Sequence, residues 1–592
     1  MKYHLTENLE QNKGVVSNLH CFLDRHLDTG FKTKWSGMWS PPYKFLDYYA
    51  FKVNGDWLGP ETLQATEYGE EMVFHHETDS LRIKEKVKAP ATVPGIQLEL
   101  EFENKLEKKK AVHVVLEPGV DIREKSIDID ESDYDVERGP NRVTVSRKGR
   151  KLMISSEEDF EVNGKPYKEE HYPEEKQEYL VPGKISFKKE FEEKESLEIE
   201  FTTSNGTFGE LEDINQSIEL EGLTRLFNYS IESLKNLVYD RNGMGVIAGH
   251  PWFQSYWARD TFWTVLGLID VGYFELSEDI LTKFAEEDLP GKINLEPSSE
   301  ENLERSDTYP LFVIAADKLE RHFRTNDVIE EAREKAVKHL EIDEDGVVAH
   351  DKDGTWMDTL EREKAVDLQS LWLEAAKIED LDKEEDLEEG LNKFKNSDYV
   401  RDNLGSQDFQ SINPVIPLMF GHFDKEDGVS FLEKINAEFS STYGARTRSV
   451  TDPGYEAGGY HTGSSWGLTT GWAAAANIEY GKNTEGRNFL EKMNQFIDRN
   501  QLGALPEIVN SETGKSLGCN EQAWSAGLIT HVIDTYLLGI KPENPEKAKI
   551  SPADGLNCKR IGKKIGENSL DIKVENGEVE ILNDPDMEII IE

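Results

Sequence analysis

Residues 258–272 read ARDTFWTVLGLIDVG, and this stretch decides the fold class of most of the chain. Apolar residues at positions i, i+3, i+4 and i+7 share one face of an α-helix, and here they are Phe262, Val265, Leu266 and Ile269. Similar apolar faces recur near 218–238, 274–286, 307–324, 327–340, 365–378, 384–395, 409–420, 427–438, 461–480, 485–500 and 520–539. About twelve helices without intervening strands predict paired helices packed into a closed α-toroid. The count alone is also compatible with an irregular helical domain.

The chain before about residue 205 has the two-residue period of β-strands instead. Alternating runs separated by turn residues occur at Leu81–Val87, Ile96–Phe102, Ala111–Leu116, Val143–Val145, Lys151–Ile154, Ile185–Phe191 and Leu197–Phe201. Many short strands at this spacing predict an antiparallel β-sandwich rather than parallel βαβ units. The polar, glycine-bearing stretch Thr202–Gly209 is predicted to be the linker to the helical part.

After Gly539 the pattern is again that of strands. Leu570–Val574 and Val579–Leu582 flank Asn576–Gly577, a pair that favours a tight hairpin turn, and Met587–Ile591 adds a further predicted strand. We therefore predict an N-terminal β-sandwich over 1–205, a helical domain over 206–540 and a C-terminal β segment over 541–592.

The charge balance narrows the classes of partner. The chain has 68 Lys and Arg against 116 Asp and Glu, a formal net charge of −48. Such a field repels nucleic acid and anionic membranes, so we predict neither as a partner. The acids are spread along the chain, which indicates a solvated surface suited to high salt. The opening MKYHLTENLEQNKG lacks the apolar core of a secretory signal, and no apolar run reaches a membrane-spanning length. We expect a cytoplasmic protein of a salt-rich cell.

A metal site is not predicted. Of two candidate calcium loops, one runs from Asp343 to Gly354 and the other from Asp351 to Arg362, so neither ends on the Glu that an EF-hand requires. The histidines lack HExxH or paired-ligand spacing. The cysteines are too few and too far apart for a disulfide framework or a metal cluster: Cys21, Cys519 and Cys558.

Five segments of the helical half concentrate aromatic, glycine and charged residues. They are WFQSYWARDTF at 252–262, GTWMDT at 354–359, REKAVDLQ at 362–369, the stretch 443–466 that ends in YHTGSSW, and LPEIVNSETGKSLGCNEQAW at 505–524. In the first, aromatic residues including Trp257 crowd Arg259 and Asp260. Aromatic rings stack on the apolar face of a sugar, whose hydroxyls need paired polar groups. An ordinary helix cap is the alternative interpretation of the charged pair.

The other segments also offer polar groups beside rigid rings. Asp358 follows Trp356 closely, and an apolar neighbour raises the pKa of a carboxyl, as a proton-donating acid requires. His461 and Trp466 have polar tips, and Glu507 follows a proline in a long loop, which is usually functional or disordered. A helix cap for Asp358 and a hydrogen-bonded core histidine for His461 are the structural alternatives. The segment 362–369 is also compatible with a purely structural role.

Together and in this order, the segments resemble the C-terminal, amylo-α-1,6-glucosidase part of glycogen debranching enzymes. The predicted β domain before them and the short β segment after them are similar to the prokaryotic and archaeal versions of that family. The matching stretches are WFQSYWARDT, TWMD, REKAVDLQSLW, YHTGSSWG and PEIVNSETGKSLGCNEQAWS, within 252–525. The chain departs from the family at Gly467, where Pro is usual. It also lacks the separate glucanotransferase domain of the eukaryotic enzymes, so that second activity is not inferred.

The resemblance implies an (α/α)6 barrel that hydrolyses α-glucan with inversion and without a cofactor or metal. By motif, Asp358 is the general acid and Glu507 the general base, while Arg259 and Asp260 hold the outer hydroxyls of the terminal glucose. Inversion needs the two carboxyls roughly 6.5–9.5 Å apart, which leaves room for a water. The expected pocket walls are Trp257, Trp356, His461 and Trp466, and the reserve carboxyl candidates are Glu361, Glu363 and Glu521.

Several other functions remain open at this stage. A glucoamylase acting on α-1,4 ends would share the scaffold and both carboxylates, so only the family motifs favour the α-1,6 branches of glycogen or limit dextrin over linear maltooligosaccharides. A trehalase is disfavoured because its motifs are missing. A phosphorylase would replace the base with a phosphate site, which Glu507 argues against. A glucan-binding module with a dead site, or an acidic structural protein, explains the loop residues less well.

Overall fold

A computed structural model of the 592-residue chain describes residues 3–106, 110–127, 132–171, 177–203, 209, 211–296, 305–405 and 409–592. The chain forms two compact units. The first comprises 1–211, 239–242 and 500–502, and the second comprises the remaining residues through 592. The predicted division into three segments stays a prediction, and most of the predicted linker Thr202–Gly209 lies outside the described residues.

The N-terminal unit has two large antiparallel sheets that share one hydrophobic core. In spatial order, the first sheet consists of Tyr3–Leu5, Leu63–Tyr68, Met72–Glu77, Leu81–Lys88, Gly95–Asn104, Lys194–Thr203, Arg150–Ser155, Arg142–Arg147 and Asp135–Arg138. The second consists of Glu161–Asn163, Lys184–Phe191, Lys110–Glu124, Tyr43–Val53, Gly37–Ser40, Phe22–His26 and Lys13–Ser17, with Tyr167–His171, Gln177–Val181 and Asp56–Trp57 paired beside it. The predicted sandwich is confirmed.

Alternation along the strands explains why the sheets bury one face. Leu98 and Leu100 are fully buried, pair with Ile199 and Leu197 across the first sheet, and alternate with half-buried polar residues. Burying each such side chain contributes about 1.5–3 kcal/mol before the entropy of ordering is subtracted. A tight turn joins two of the strands at Lys148–Gly149, where both residues have positive φ, as a two-residue hairpin of this type requires.

The second unit contains twelve α-helices within its described residues. They are α1 (Thr224–Asn236), α2 (Ala258–Asp270), α3 (Phe274–Glu286), α4 (Thr308–His322), α5 (Asp327–Ala336), α6 (Val366–Ile378), α7 (Glu384–Asn392), α8 (Val415–Met419), α9 (Lys425–Phe439), α10 (Gly467–Glu479), α11 (Asn483–Met493) and α12 (Ala523–His531). Each of the even-numbered helices contacts the next, and α12 contacts α2, so these six helices close a ring. The odd-numbered helices pack outside them, which gives the predicted toroid.

Two of the inner helices are buried on all sides. Every residue of α2 and α12 is buried, as expected for helices that pack against neighbours all round. Their close approach depends on glycine. A Cβ added at Gly267 would lie 2.2 Å from the carbonyl oxygen of Gly527, and one added at Gly527 would lie 2.6 Å from Cα of Thr264.

Some boundaries differ from the predicted ones. The helix predicted near 218–238 begins only at Thr224, because Ile218 and Leu220 alternate inward in a strand, Ser217–Leu220, that pairs with the C-terminal sheet. The helix predicted near 409–420 is limited to α8. The helix predicted to end near 539 is α12 followed by a π-helical turn, Val532–Leu537, and Val337–His339 is a 3-10 turn after α5.

The C-terminal strands form two small sheets within the second unit. One contains Ser217–Leu220, Cys558–Ile565, Asn568–Glu575 and Glu578–Ile581, and the other contains Ile540–Asn544, Lys547–Ile550 and Glu588–Ile591. The predicted turn at Asn576–Gly577 has positive φ at both residues. Short strands also lie in the loops of the toroid: Met244–Val246, Gly249–His250, Tyr256–Trp257, Lys292–Ile293, Ser440–Ser441, Gly444–Ala445, Ser465–Trp466, Ile508–Val509 and Glu521–Gln522.

Candidate active site

One cavity of about 280 Å³ collects residues from the N-terminal ends of α2, α10 and α12 and from the loops between helices. It is lined by Ala248, Phe253, Trp257, Arg259, Asp260, Trp356, Asp358, Tyr460, His461, Trp466, Glu507, Gln522 and Trp524. All eight side chains that the sequence analysis assigned to a site therefore lie around the same cavity. Their individual roles stay predictions.

Short strand pairs hold the loops of this cavity in place. Trp466 pairs with Ile508, which sets the loop that carries Glu507 against the start of α10. His250 pairs with Glu521, which leads directly into Gln522 and α12. Each pairing supplies backbone hydrogen bonds to a segment that would otherwise lie in an irregular loop.

Arg259 joins two carboxylates. Its Nη1 donates to Oδ2 of Asp307 at 3.1 Å, and its Nη2 lies 3.4 Å from Oδ2 of Asp358. Arg259 and Asp307 are buried, whereas the Asp358 side chain is 30% exposed. Burial by itself lowers the pKa of Arg259, but nearby carboxylates, with Asp307 the strongest, raise it overall, so the guanidinium stays charged. Burial raises the pKa of Asp307.

Glu507 is 1% exposed and accepts two hydrogen bonds. The Tyr460 hydroxyl donates to its Oε1, and the backbone N–H of Cys519 donates to its Oε2 at 2.9 Å. Burial raises the pKa of Glu507, and the two donors partly oppose that shift because they favour the ionised form. Burial and the Glu507 carboxylate together raise the pKa of Tyr460, which therefore remains a neutral donor.

Asp260 lies in the first turn of α2, where the positive end of the helix dipole favours a carboxylate. It is buried, and its Oδ1 accepts a hydrogen bond of 2.9 Å from Nε2 of Gln522. Burial raises the pKa of Asp260 to about 7, with Arg259 opposing the shift and Glu507 adding to it. The Glu507 carboxylate therefore acts electrostatically on Asp260.

Aromatic rings form the walls. Trp356 meets His461 edge to face at a centroid distance of 5.2 Å, and His461 stacks on Trp466 at 5.4 Å. Nε1 of Trp356 donates to Asn413 at 2.7 Å, which fixes the indole. Burial, with Arg259 and Arg362 as lesser causes, lowers the pKa of His461 to about 3. The imidazole is therefore neutral, and it shares a 2.7 Å hydrogen bond with Thr359.

The reserve carboxylates lie elsewhere. Glu361 and Glu363 are largely exposed and pair with Lys352. Glu521 is buried and directly precedes the lining residue Gln522 in the sequence. Its carboxylate hydrogen-bonds His250 at 3.1 Å and Asn236 at 3.2 Å.

The charged and polar side chains of segment 362–369 bind other parts of the protein, as a structural role requires. Arg362 is completely buried and bridges Asp367 and Asp402, while Gln369 bonds to backbone groups of Gly346, Val348 and Leu387.

Five lining residues were not among the predicted site residues. Phe253, Tyr460, Gln522 and Trp524 stand within the quoted segments, so the density of aromatic and polar residues there is a signal that could have found them. Ala248 carries no such signal. Asp307 does not line the cavity but holds Arg259, and in the sequence it resembles an ordinary residue before a helix.

The described residues contain no group of three or more His, Cys, Asp or Glu that could hold a metal ion. Within the same residues, no helix combines the length and apolar character needed to cross a membrane.

A closed (α/α)6 toroid with carboxylates among aromatic side chains in one cavity defines an enzyme of the glycoside hydrolase type. The family model of amylo-α-1,6-glucosidase matches residues 230–531, about half of the chain, and the chain belongs to this family. None of the curated proteins compared with the chain matches it.

Solved structures share the fold at low sequence identity. A bacterial glucoamylase complexed with acarbose is 12% identical, with a TM-score of 0.55 over 90% of this chain and 95% of that chain. A putative kojibiose phosphorylase from the human microbiome is 9% identical, with a TM-score of 0.58 over 99% and 98%. A GH78 family rhamnosidase of Bacillus sp. GL1 is 12% identical, with a TM-score of 0.51 over 86% of this chain and 54% of that chain. These likenesses concern the fold alone, and the family places the chain among glucan-active glycoside hydrolases.

Proposed function

We propose that this enzyme releases glucose from α-1,6 branch points of glycogen or limit dextrin by hydrolysis with inversion. Asp358 protonates the glycosidic oxygen and Glu507 activates the attacking water. The observation that carries the proposal is that both carboxylates line one aromatic-walled cavity in a member of the amylo-α-1,6-glucosidase family. At about 280 Å³ the cavity is slightly smaller than the roughly 300–1,000 Å³ typical of ligand pockets, which suits a single terminal glucosyl unit.

The surroundings of the two carboxyls support different roles. Asp358 is partly exposed at the cavity, where a leaving saccharide has access to it. Glu507 is buried and oriented by two donors, and a base of raised pKa takes up a proton from water more readily. Arg259 and Asp260 would bind the outer hydroxyls of the sugar. Its apolar face would lie against the aromatic walls, which are Trp257, Trp356, His461 and Trp466. The proposed reaction needs no cofactor.

Product analysis tests the proposal. A limit dextrin carrying single α-1,6-glucosyl stubs is compared with linear maltooligosaccharides, and the anomer of the first glucose released is read by NMR. We expect β-glucose, formed mainly from the stubs. Asp358→Asn and Glu507→Gln should each lose activity by at least about 10²-fold. Glu361→Gln, a carboxyl removed from an exposed ion pair with Lys352, is the matched control and should keep full activity.

The other outcomes are informative. Faster release from linear chains would make the enzyme a glucoamylase, and a requirement for phosphate would make it a phosphorylase. Activity retained in either carboxyl variant would overturn that residue's assignment. We also propose a salt-rich cytoplasm as its location, supported by the net charge of −48. Full activity and folding without added salt would contradict that proposal.

A further inference from the structure

Few aromatic side chains are exposed in the part of the chain that the structure describes. Three large aromatic residues are exposed among the described residues: Trp57 with an exposed fraction of 45%, Tyr167 with 37% and Tyr460 with 38%. Tyr460 lines the catalytic cavity. The other two lie in the N-terminal unit, on strands paired beside its second sheet. Single exposed hydrophobic residues need no explanation, whereas a contiguous exposed patch is typical of an interaction site.

Trp57 and Tyr167 share their charged neighbours. Nζ of Lys184 lies 6.0 Å from the centre of the Trp57 ring and 2.6 Å from Oε2 of Glu117. Tyr167 stands two residues before Glu169 on the strand Tyr167–His171, so both side chains lie on one face of that strand. Glu169 accepts the Tyr179 hydroxyl, and Tyr179 packs on Tyr48, which donates to Glu117. Slight burial and the Glu117 carboxylate raise the pKa of Tyr167, whereas Lys184 lowers it, which agrees with this position. On the other side, Lys52 faces Trp57 across the strand pair, with its Nζ 5.4 Å from the ring centre. We call Trp57, Tyr167, Lys52, Glu117 and Lys184 the outer patch.

The sheet beneath the outer patch holds its polar groups in place. Glu117 also accepts a hydrogen bond of 3.0 Å from the Tyr48 hydroxyl. Tyr48 in turn packs edge to face on Tyr179, whose hydroxyl donates to Glu169 at 2.9 Å. Alternation along Tyr43–Val53 puts Tyr48 and Lys52 on the face opposite the core, so the outer patch continues the solvent face of the second sheet.

This chemistry selects a class of ligand. Exposed rings can stack on the apolar faces of sugar rings, while a fixed carboxylate and ammonium group can bind hydroxyls. A protein partner fits less well, because Lys and Glu are depleted from the centres of protein interfaces. Nucleic acid is disfavoured by the net charge of −48. We propose that the outer patch is a second, non-catalytic binding site for α-glucan chains, an inference that rests on the glucan-directed function proposed above.

The test compares polymer with short substrate. In the full-length protein, Trp57→Ala and Tyr167→Ala are assayed for the KM on glycogen and on a short oligosaccharide with one α-1,6-glucosyl stub. We expect the KM on glycogen, divided by the KM on the short oligosaccharide, to rise about three- to tenfold in each variant. A change of this size is typical when one aromatic contact is removed. Leu106→Ala removes a 50% exposed side chain outside the outer patch and should leave the ratio unchanged.

A binding measurement separates the two proposals. Affinity electrophoresis in gels containing glycogen, with Asp358→Asn as the background, reports retardation without hydrolysis. We expect Trp57→Ala to lose a similar factor in affinity there, even if the cavity acts on another linkage. Unchanged retardation and an unchanged KM ratio in both aromatic variants would overturn the outer patch. A second result would also overturn the proposal: sedimentation shows that Trp57→Ala converts a dimer to a monomer while the affinity for glycogen is unchanged. The outer patch would then be a contact between subunits.

Discussion

Removing the Tyr460 hydroxyl should make Glu507 harder to ionise. Tyr460 donates to Oε1 of Glu507, and this bond lowers the pKa of a carboxyl that burial raises. A hydrogen bond to a charged group is worth about 1.5–3 kcal/mol, and one pKa unit corresponds to about 1.36 kcal/mol. Tyr460→Phe should therefore raise the pKa of Glu507 by about one to two units. Glu507 must be ionised to act as the base. As the pH is lowered, Tyr460→Phe should therefore lose activity at a higher pH than the wild type does.

The assay is the pH dependence of kcat/KM on the stub-bearing limit dextrin, since this quantity reports the ionisation of the free enzyme. We expect the acid limb of the profile to move upward by about one to two pH units in Tyr460→Phe. The matched control is Tyr455→Phe, which removes a hydroxyl bonded to Ser511 and Glu512 instead of Glu507. An unmoved acid limb, or a shift of the alkaline limb in its place, would refute the assignment of Glu507 as the base.

Three further predictions concern positioning, stability and salt. Asp307→Asn weakens the anchor that holds Arg259 beside Asp358, so kcat/KM should fall roughly tenfold to hundredfold. A lower unfolding temperature with unchanged kcat/KM would mean a purely structural role. Lys563→Met removes one of the cations that contact buried Asp270. Chemical denaturation should show that the free energy of unfolding falls by about 3 kcal/mol. A decrease below about 1 kcal/mol would contradict the prediction. Lowering salt to about 10 mM, where charges act over about 30 Å, should lower the midpoint of thermal unfolding because the surface is strongly acidic; a constant midpoint would argue against salt adaptation.

The periodic elements were predictable from local sequence. The apolar face of Phe262, Val265 and Ile269 identified α2, and the alternation of Ile96–Phe102 identified a strand, because burial of one face leaves a period in the sequence. Short elements were not. Ser217–Leu220 was predicted as helix because four residues carry too few apolar positions to separate the two periods, and only its partner, Cys558–Ile565, determines that it is a strand.

The site was predictable only where chemistry is concentrated in sequence. Asp358 and Glu507 stand in motifs with unusual neighbours, and both line the cavity. Asp307 has no such neighbours, and its contact with Arg259 spans 48 positions, so it depends on how α2 and α4 pack. The same is true of the bond between Tyr460 and Glu507. Composition can suggest that a tyrosine belongs near a site, but it cannot say which carboxylate the hydroxyl reaches.

Two aspartates on α2 show how neighbouring groups set the pKa of a buried carboxyl. Asp260 and Asp270 stand at opposite ends of the helix, and both are buried. Asp270 contacts Lys318 at 2.7 Å and Lys563 at 2.8 Å, and these cations outweigh burial and hold its pKa well below the usual value. Asp260 has one neighbouring cation, Arg259, which is itself shared among carboxylates, so burial prevails and its pKa rises to about 7. Residue type and burial are the same, so the neighbouring groups decide the outcome. Asp270 has two lysines and hydrogen bonds with His322 and His531, whereas Asp260 has one shared arginine and the nearby Glu507 carboxylate. It follows that replacing both lysines by methionine should raise the pKa of Asp270 toward that of Asp260.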